Sequence, residues 1–124
     1  MTTLPPPLQT ACRIRVRGVV QGVGQALWEL CHIDPSSGQP LMGSLMDYGV
    51  PRADQMPTLH SSFEEGAPCK TNLLGVKGVG ELGTIGAVPS VVHAVLDALA
   101  GHGVTHIEMP CTPERVWRAL GKKA

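Results

Sequence analysis

The densest chemical feature of this sequence is a loop in which five glycines surround one basic and one acidic residue. Residues 75–86 read GVKGVGELGTIG, with Lys77 and Glu81 as the charged side chains. Glycine is favoured where the backbone needs a positive φ or where a ligand must approach the main chain closely. An acid between glycines has few neighbours of its own, so we expect Glu81 to act on a group supplied from elsewhere. A carboxylate in a dry, glycine-lined site is suited to general-base catalysis.

Two other interpretations of this loop remain open from its spacing. Residues 78–83 match the dinucleotide-binding pattern G-x-G-x-x-G, which requires a buried strand immediately before the first glycine. The preceding residues 64–74, EEGAPCKTNLL, do not have the pattern of a buried strand, and Glu81 would face the pyrophosphate. The remaining alternative is a surface loop that leads into the next helix.

The residues before this loop predict short strands and one short helix. Residues 12–16 alternate apolar and basic side chains, which predicts a half-buried strand. Its second face, solvated or anion-binding, would carry three basic side chains: Arg13, Arg15 and Arg17. Helical spacing then extends from about Gly22 to Cys31, and strand-like segments are expected at 41–48 and 60–64.

The segments after the loop have the clearest periodicity. Six aliphatic residues follow helical spacing over positions 88–99, so we expect a helix there with Pro89 in its first turn. A strand is expected at 104–109. Thr112 has the properties of an N-cap for a last helix over 113–121. Strands are thus interleaved with two or three amphipathic helices, which predicts a mixed α/β (α+β) fold.

Composition limits the class of protein. The chain has 124 residues, 43% of them hydrophobic, with few aromatic side chains, so one domain with an aliphatic core is expected. Ten basic residues balance ten acidic ones, which favours neither nucleic acid nor an anionic membrane as a partner. No run approaches the roughly 18 apolar residues of a membrane span, and no signal peptide is evident, so a cytoplasmic location is expected. The four cysteines form no C-x-x-C pair, and no metal-ligating residue is predicted.

Four blocks of sequence resemble the C-terminal end of one enzyme family. They are GQALWE at 24–29, GSLMDYGVPRAD at 43–54, TNLLGVKGVGELGTIGAVPSVVHAVLDAL at 71–99 and GVTHIEMPCTPERVW at 103–117. In order and spacing they are similar to the molybdopterin-binding large subunits of the xanthine dehydrogenase, aldehyde oxidase and carbon monoxide dehydrogenase type. Residues 20–121 are therefore expected to be the C-terminal segment of a molybdopterin-binding domain.

This resemblance implies a molybdenum hydroxylase, an oxidoreductase that oxidises a carbon atom of a small-molecule substrate. It implies that Glu81 is the general base and that the cofactor is molybdopterin, expected in its cytosine dinucleotide form. A QGxGQ turn at a helix start resembles the cofactor-contacting turn of the family, and its free N–H groups would bind phosphate or pyrophosphate. The expected cofactor-binding residues are Gln21, Gly22, Gly24, Gly78, Val79 and Gly80. A plain helix entry is the alternative for the first three.

The resemblance also implies partners. In this family electrons leave through iron–sulfur clusters and FAD, so we expect an FAD-binding subunit, a [2Fe–2S] subunit and the remainder of the large subunit. Large subunits of the family are several times longer than this chain. Because catalysis needs a preorganised site without water, the isolated chain is expected to be inactive.

A second resemblance covers residues 12–24, CRIRVRGVVQGVG, which look like acylphosphatases and the acylphosphatase-like N-terminus of hydrogenase maturation carbamoyltransferases. Those proteins continue with Phe-Arg, whereas this chain has Gln25-Ala26. We expect an acylphosphatase-like strand and turn at 12–24, a disordered leader at 1–11 and a tail at 122–124. The alternatives to a molybdenum hydroxylase are a truncated or chimeric remnant without turnover and an acylphosphatase-like hydrolase.

Overall fold

Three α-helices organise the part of the chain that the structure describes. The computed structural model describes residues 6–64 and 66–121. The helices are α1 (Pro6–Leu27), α2 (Leu82–Leu99) and α3 (Pro113–Gly121). Two short 3-10 turns, Ala53–Gln55 and Ala100–His102, lie in the connections, and the second follows α2 directly.

The expected strands do not form in the part of the chain that the structure describes. The β pairing found there is one isolated antiparallel bridge, between Ile33 and Pro40. Segments 41–48, 60–64 and 104–109 consist of turns and irregular backbone. The fold of the described residues is mostly helical, and the mixed α/β prediction is not confirmed. An alternation of only four or five residues cannot form a sheet unless a second segment supplies a partner for its backbone.

Helix α1 replaces the strand that was predicted at residues 12–16. That prediction is wrong because Cys12 and Val16 also lie one helical turn apart, so the short alternation fits both periods. The repeat that determines the structure consists of small residues four apart, and these are buried: Gly18, Gly22 and Ala26. The helix starts at Pro6 rather than at Gly22, so positions 6–11 of the expected leader are helical. Residues 1–5 and 122–124 lie outside the described residues.

Glycine allows α1 and α2 to approach each other backbone to backbone. A Cβ atom on Gly83 would lie 2.9 Å from the Val19 nitrogen and closer still to the Arg15 carbonyl oxygen. A Cβ atom on Gly22 would lie 2.8 Å from the Ala87 Cβ. These distances are too short for side-chain atoms, so glycine at these positions is required by the packing of the two helices.

The buried core lies at the other end of α2. It contains Leu99, Ile107 and Cys111, which are covered by aliphatic side chains of α1, α2 and α3. The Cys111 N–H donates a 2.6 Å hydrogen bond to the Ala26 carbonyl and ties the 104–111 segment to α1. Helix α3 confirms the predicted last helix, and α2 contains the predicted helix at 88–99 but begins earlier, at Leu82.

The stretch Leu82–His102 is long and apolar enough to cross a membrane by length and composition, with a mean hydropathy of 1.5. The sequence-based expectation missed it because glycine, serine and threonine interrupt the apolar run without lowering its mean much. A single helix of this kind also occurs in the cores of soluble proteins, so it is weak evidence for a membrane span.

Candidate functional site

A compact turn, residues 69–76, precedes the glycine-rich loop. The Cys69 N–H donates to the Gly75 carbonyl at 3.0 Å, and the Gly75 N–H donates to the Asn72 carbonyl at 3.3 Å. The Asn72 side chain donates from Nδ2 to the Val76 carbonyl at 3.0 Å and accepts from the Val76 N–H at 3.1 Å. Gly75 has a φ of +66°, a value that glycine adopts without steric cost. The loop therefore starts from a closed, hydrogen-bonded turn, and not from the buried strand that the dinucleotide-binding pattern requires.

Glu81 lies at the other end of the loop, where it is the N-cap residue of α2. Its carbonyl accepts the N–H of Ile85 at 3.1 Å, which is the first hydrogen bond of the helix. Its side chain makes no capping hydrogen bond and is exposed. The backbone of Glu81 is thus fixed by α2, while among the described residues its carboxylate forms neither a capping hydrogen bond nor an ion pair. The dry surroundings expected for it are not provided by the described residues.

Nothing among the described residues requires glycine at positions 78 and 80. Neither Gly78 nor Gly80 has a positive φ, and a Cβ atom at either position would meet nothing within 4 Å. Val79 between them is half-buried. The main chain at 78–80 is therefore open to approach by a group from outside this chain.

The predicted cofactor turn at residues 21–24 lies inside α1 and does not start a helix. Gln21 is exposed, whereas Gly22 is buried against Ala87 and Gly24 is buried below Pro51, whose Cγ would lie 2.6 Å from an added Cβ. The free N–H groups that the prediction assumed are absent here, because α1 continues from Pro6. None of the hydrogen bonds between described residues joins this turn to the 78–81 loop.

Tyr48 and Glu29 complete the packing around this part of α1. The Tyr48 hydroxyl donates to Glu29 Oε2 at 2.9 Å, and this hydrogen bond raises the pKa of the Tyr48 phenol. The carboxylate of Glu29 also lies directly against the Gly24 α-carbon. These contacts give Gly24 a packing role that the QGxGQ pattern did not reveal.

The structure also separates the three arginines that were predicted to share one strand face. Arg13 and Arg17 are exposed, but Arg15 is half-buried and holds the 61–63 segment against α1. Its Nη2 donates to Ser61 Oγ at 2.6 Å and to the Ser62 carbonyl, and its guanidinium lies 4.4 Å from the centre of the Phe63 ring. Because Arg15 and Ser61 are 46 residues apart in sequence, no local pattern could have indicated this contact.

The same segment lines one side of a cleft of about 630 Å³ between α1 and α2. Aliphatic side chains such as Val19, Leu59 and Val91 form most of its wall, and Arg15 is its charged residue. Among residues 6–64 and 66–121 there is no cluster of three or more histidine, cysteine or acidic side chains that could hold a metal ion.

Comparison with known proteins identifies the family. The family described as molybdopterin cofactor-binding domain matches residues 16–57. The gamma subunit of the 6-hydroxypseudooxynicotine dehydrogenase complex of Paenarthrobacter nicotinovorans is 39% identical over 111 residues, which is 90% of this chain. The nicotine 6-hydroxylase large subunit of the same organism is 41% identical over 102 residues, or 82% of this chain. The chain belongs to the molybdopterin-binding large-subunit family.

Solved structures of this large-subunit family have the same fold. The crystal structure of quinoline 2-oxidoreductase from Pseudomonas putida 86 superposes with a TM-score of 0.83 at 36% identity and covers 95% of this chain. The chain spans 14% and 12% of the length of the two Paenarthrobacter relatives, and 15% of the quinoline 2-oxidoreductase chain. A match over 90% of the chain includes most of residues 12–24, so the resemblance of that segment to acylphosphatases is not favoured.

Proposed function

We propose that this chain forms the part of a molybdenum hydroxylase large subunit that carries the general base, Glu81, next to the molybdopterin cofactor. The observation that carries this proposal is the position of Glu81: an exposed carboxylate at the N-cap of α2, directly after an open glycine loop. A side chain that makes no capping hydrogen bond, on a backbone that is fixed by the start of a helix, is suited to act on a bound group.

The residues of the loop fit such a group. The open α-carbons of Gly78 and Gly80 leave room for a ligand to contact the main chain, so the amides of 78–80 would face the cofactor. In the QGxGQ segment of α1 the exposed Gln21 is our proposed cofactor contact. Gly22 and Gly24 are buried, so we assign them an indirect role, in which they set the position of α1 below the site.

When bound, the molybdenum cofactor would supply the two-electron oxidation of a substrate carbon. The contribution of this chain is a proton acceptor, the Glu81 carboxylate, held at a fixed place by the start of α2. General-base catalysis of this kind contributes about 10²- to 10⁴-fold to a rate. Because the described residues leave Glu81 exposed, the walls that exclude water must come from another part of the enzyme.

The proposed partners follow from the same family. We propose a cytosine dinucleotide form of molybdopterin, the remainder of the large subunit, an FAD-binding subunit and a [2Fe–2S] subunit, in the cytoplasm. The relatives support an assembly in general, since one is a gamma subunit of a complex and another is a large subunit. The substrate is a small molecule.

A hybrid enzyme tests this proposal. Residues 16–121 would replace the matching segment of the nicotine 6-hydroxylase large subunit, which is 41% identical, and the hybrid would be expressed with the natural partners of that subunit. In this hybrid Glu81→Gln is expected to lower kcat by at least about 10²-fold because it removes the base. Molybdenum content should remain unchanged.

The matched control is Glu108→Gln, which changes another exposed glutamate outside the loop. It is expected to change the free energy of unfolding by less than about 0.5 kcal/mol, as surface substitutions away from special contacts usually do, and so to leave the activity of the hybrid nearly unchanged. If Glu81→Gln keeps more than a few per cent of the activity of the hybrid, Glu81 is not the base.

A further inference from the structure

The side chain of Asn72 closes the turn at 69–76 with two hydrogen bonds to one residue. Its carboxamide donates to the Val76 carbonyl at 3.0 Å and accepts from the Val76 N–H at 3.1 Å. One side chain thus satisfies both main-chain groups of one residue, as a neighbouring strand would do. A carboxamide is needed for this because it has a donor and an acceptor side by side.

Val76 is the residue from which the open loop departs. Among the described residues, no backbone hydrogen bond anchors positions 77–80. At the far end the chain is fixed again at Thr84, whose hydroxyl donates to the Gly18 carbonyl at 3.1 Å, and at Gly83, which packs against α1. The loop that carries Glu81 is therefore a short span between two anchors, and Asn72 provides the first.

We propose that Asn72 is a positioning residue that sets the path of residues 77–81 and so the place of the Glu81 carboxylate. This inference rests on the proposed function, in which Glu81 is the base. Asn72 itself is exposed and lies outside the loop that faces the cofactor. The turn around it is already constrained by the hydrogen bond from Cys69 to Gly75, so loss of the side chain would release Val76 without unfolding the helices.

The first test uses the full 124-residue chain without cofactor. Asn72→Asp keeps the size of the side chain, but its carboxylate has no donor and repels the Val76 carbonyl. Nuclear magnetic resonance should show the backbone order parameters of Gly78 and Gly80 falling toward values below about 0.6, which mark flexible backbone. Signals of the α1–α2 contact should not shift. Ser44→Ala is the matched control, since Ser44 caps a different exposed turn through Asp47 and Met46.

The second test uses the hybrid enzyme. Asn72→Asp is expected to lower kcat about tenfold to 10²-fold, because a displacement of about 1 Å from reacting geometry has effects of that size. Molybdenum content should stay within about twofold, which a general loss of folded enzyme would not allow, and KM should also stay within about twofold because the interaction acts on the reacting group and not on substrate binding. Asn72→Gln, which keeps both groups but moves them by one methylene, should lie between wild type and Asn72→Asp.

The outcomes separate the two proposals. If Asn72→Asp leaves the order parameters or kcat unchanged, Asn72 does not position the loop. If both Asn72 variants unfold the chain, the residue supports the whole fold and the inference is wrong. If Glu81→Gln keeps activity while Asn72→Asp loosens the loop, the proposed base is wrong and the anchoring of the loop still holds.

Discussion

The glycines of the α1–α2 contact, Gly22 and Gly83, and the glycines just before Glu81, Gly78 and Gly80, differ in what surrounds them. At Gly22 and Gly83 an added Cβ would collide with backbone or Cβ atoms of the opposite helix. At Gly78 and Gly80 it would meet no described residue within 4 Å, and the backbone there has no positive φ. The first pair is explained within this chain, whereas the second pair is not.

This difference suggests a way to distinguish glycines required by packing from those that we propose to contact a ligand. An open α-carbon alone is not sufficient, since Gly43 in exposed irregular backbone is equally open. Gly78 and Gly80 differ from it because they lie between the Asn72 anchor and Glu81. Their openness becomes informative through the carboxylate that follows them and through the molybdopterin-binding family of the chain.

The largest effect is expected at the glycines of the α1–α2 contact. Gly83→Ala places a Cβ against the Arg15 carbonyl and the Val19 nitrogen, so α1 and α2 must move apart. Overpacking of this kind costs about 3 kcal/mol. Chemical denaturation of the chain, with the midpoint read by circular dichroism, measures this loss.

Gly86→Ala is the matched control for that change. It lies one turn further along α2, its α-carbon is open, and alanine favours a helix over glycine by about 0.8–1.0 kcal/mol. The two substitutions should therefore have opposite signs. A loss of stability of equal size for both would mean that the helix contact does not depend on glycine at 83.

A smaller effect, on bound molybdenum or kcat and not on stability, is expected at the glycines just before Glu81. Gly80→Ala should leave the free energy of unfolding of the chain within about 0.5 kcal/mol, because none of the described residues would contact the new methyl group. In the hybrid enzyme the same methyl group would stand where we propose that the cofactor contacts the main chain. There we expect about a tenfold loss of bound molybdenum or of kcat, which corresponds to about 1.4 kcal/mol.

Gly43→Ala is the control for this position, since it adds a methyl group to an equally open glycine outside the loop. It should change neither stability nor molybdenum content. If Gly80→Ala destabilised the isolated chain, the loop would have a packing role, and its glycines would no longer differ in kind from those of α1 and α2.

The helices after the loop were predicted from sequence because their signals are local. The aliphatic spacing at 88–99 and the Thr112-Pro113 start identify α2 and α3 without tertiary information. Helix α1 was missed because the pattern at 12–16 fits two periods and because its small residues are explained only by the presence of α2. A short segment such as residues 12–16 takes its conformation largely from the element that it packs against. For α1 that element is α2, which is distant in sequence.

Some structural features of the candidate site could also be predicted from sequence, while the roles of its residues stay predictions. The glycine spacing around Glu81 indicated a loop that awaits a ligand, and the structure places that carboxylate in the open. The QGxGQ turn misled, because the same small residues that would admit a phosphate also admit a neighbouring helix. The role of Asn72 could not be inferred from sequence. It depends on a turn that brings the main chain of Val76 back to the Asn72 side chain, and no sequence pattern predicts that turn.

The smallest expected effect compares cysteines of the two regions. The Cys69 Sγ atom in the turn lies 3.1 Å from Thr71 Oγ1, and this hydrogen bond lowers the pKa of the Cys69 thiol, whereas burial raises the pKa of the Cys111 thiol in the core. Because the thiolate is the reactive form, iodoacetamide near pH 8 should modify Cys69 several-fold faster than Cys111, as measured by peptide mass spectrometry. Thr71→Ala should slow Cys69 and leave Cys111 unchanged. Equal rates at both sites would indicate that the core opens as readily as the turn, and the contrast between the packed and the open region would then not hold in solution.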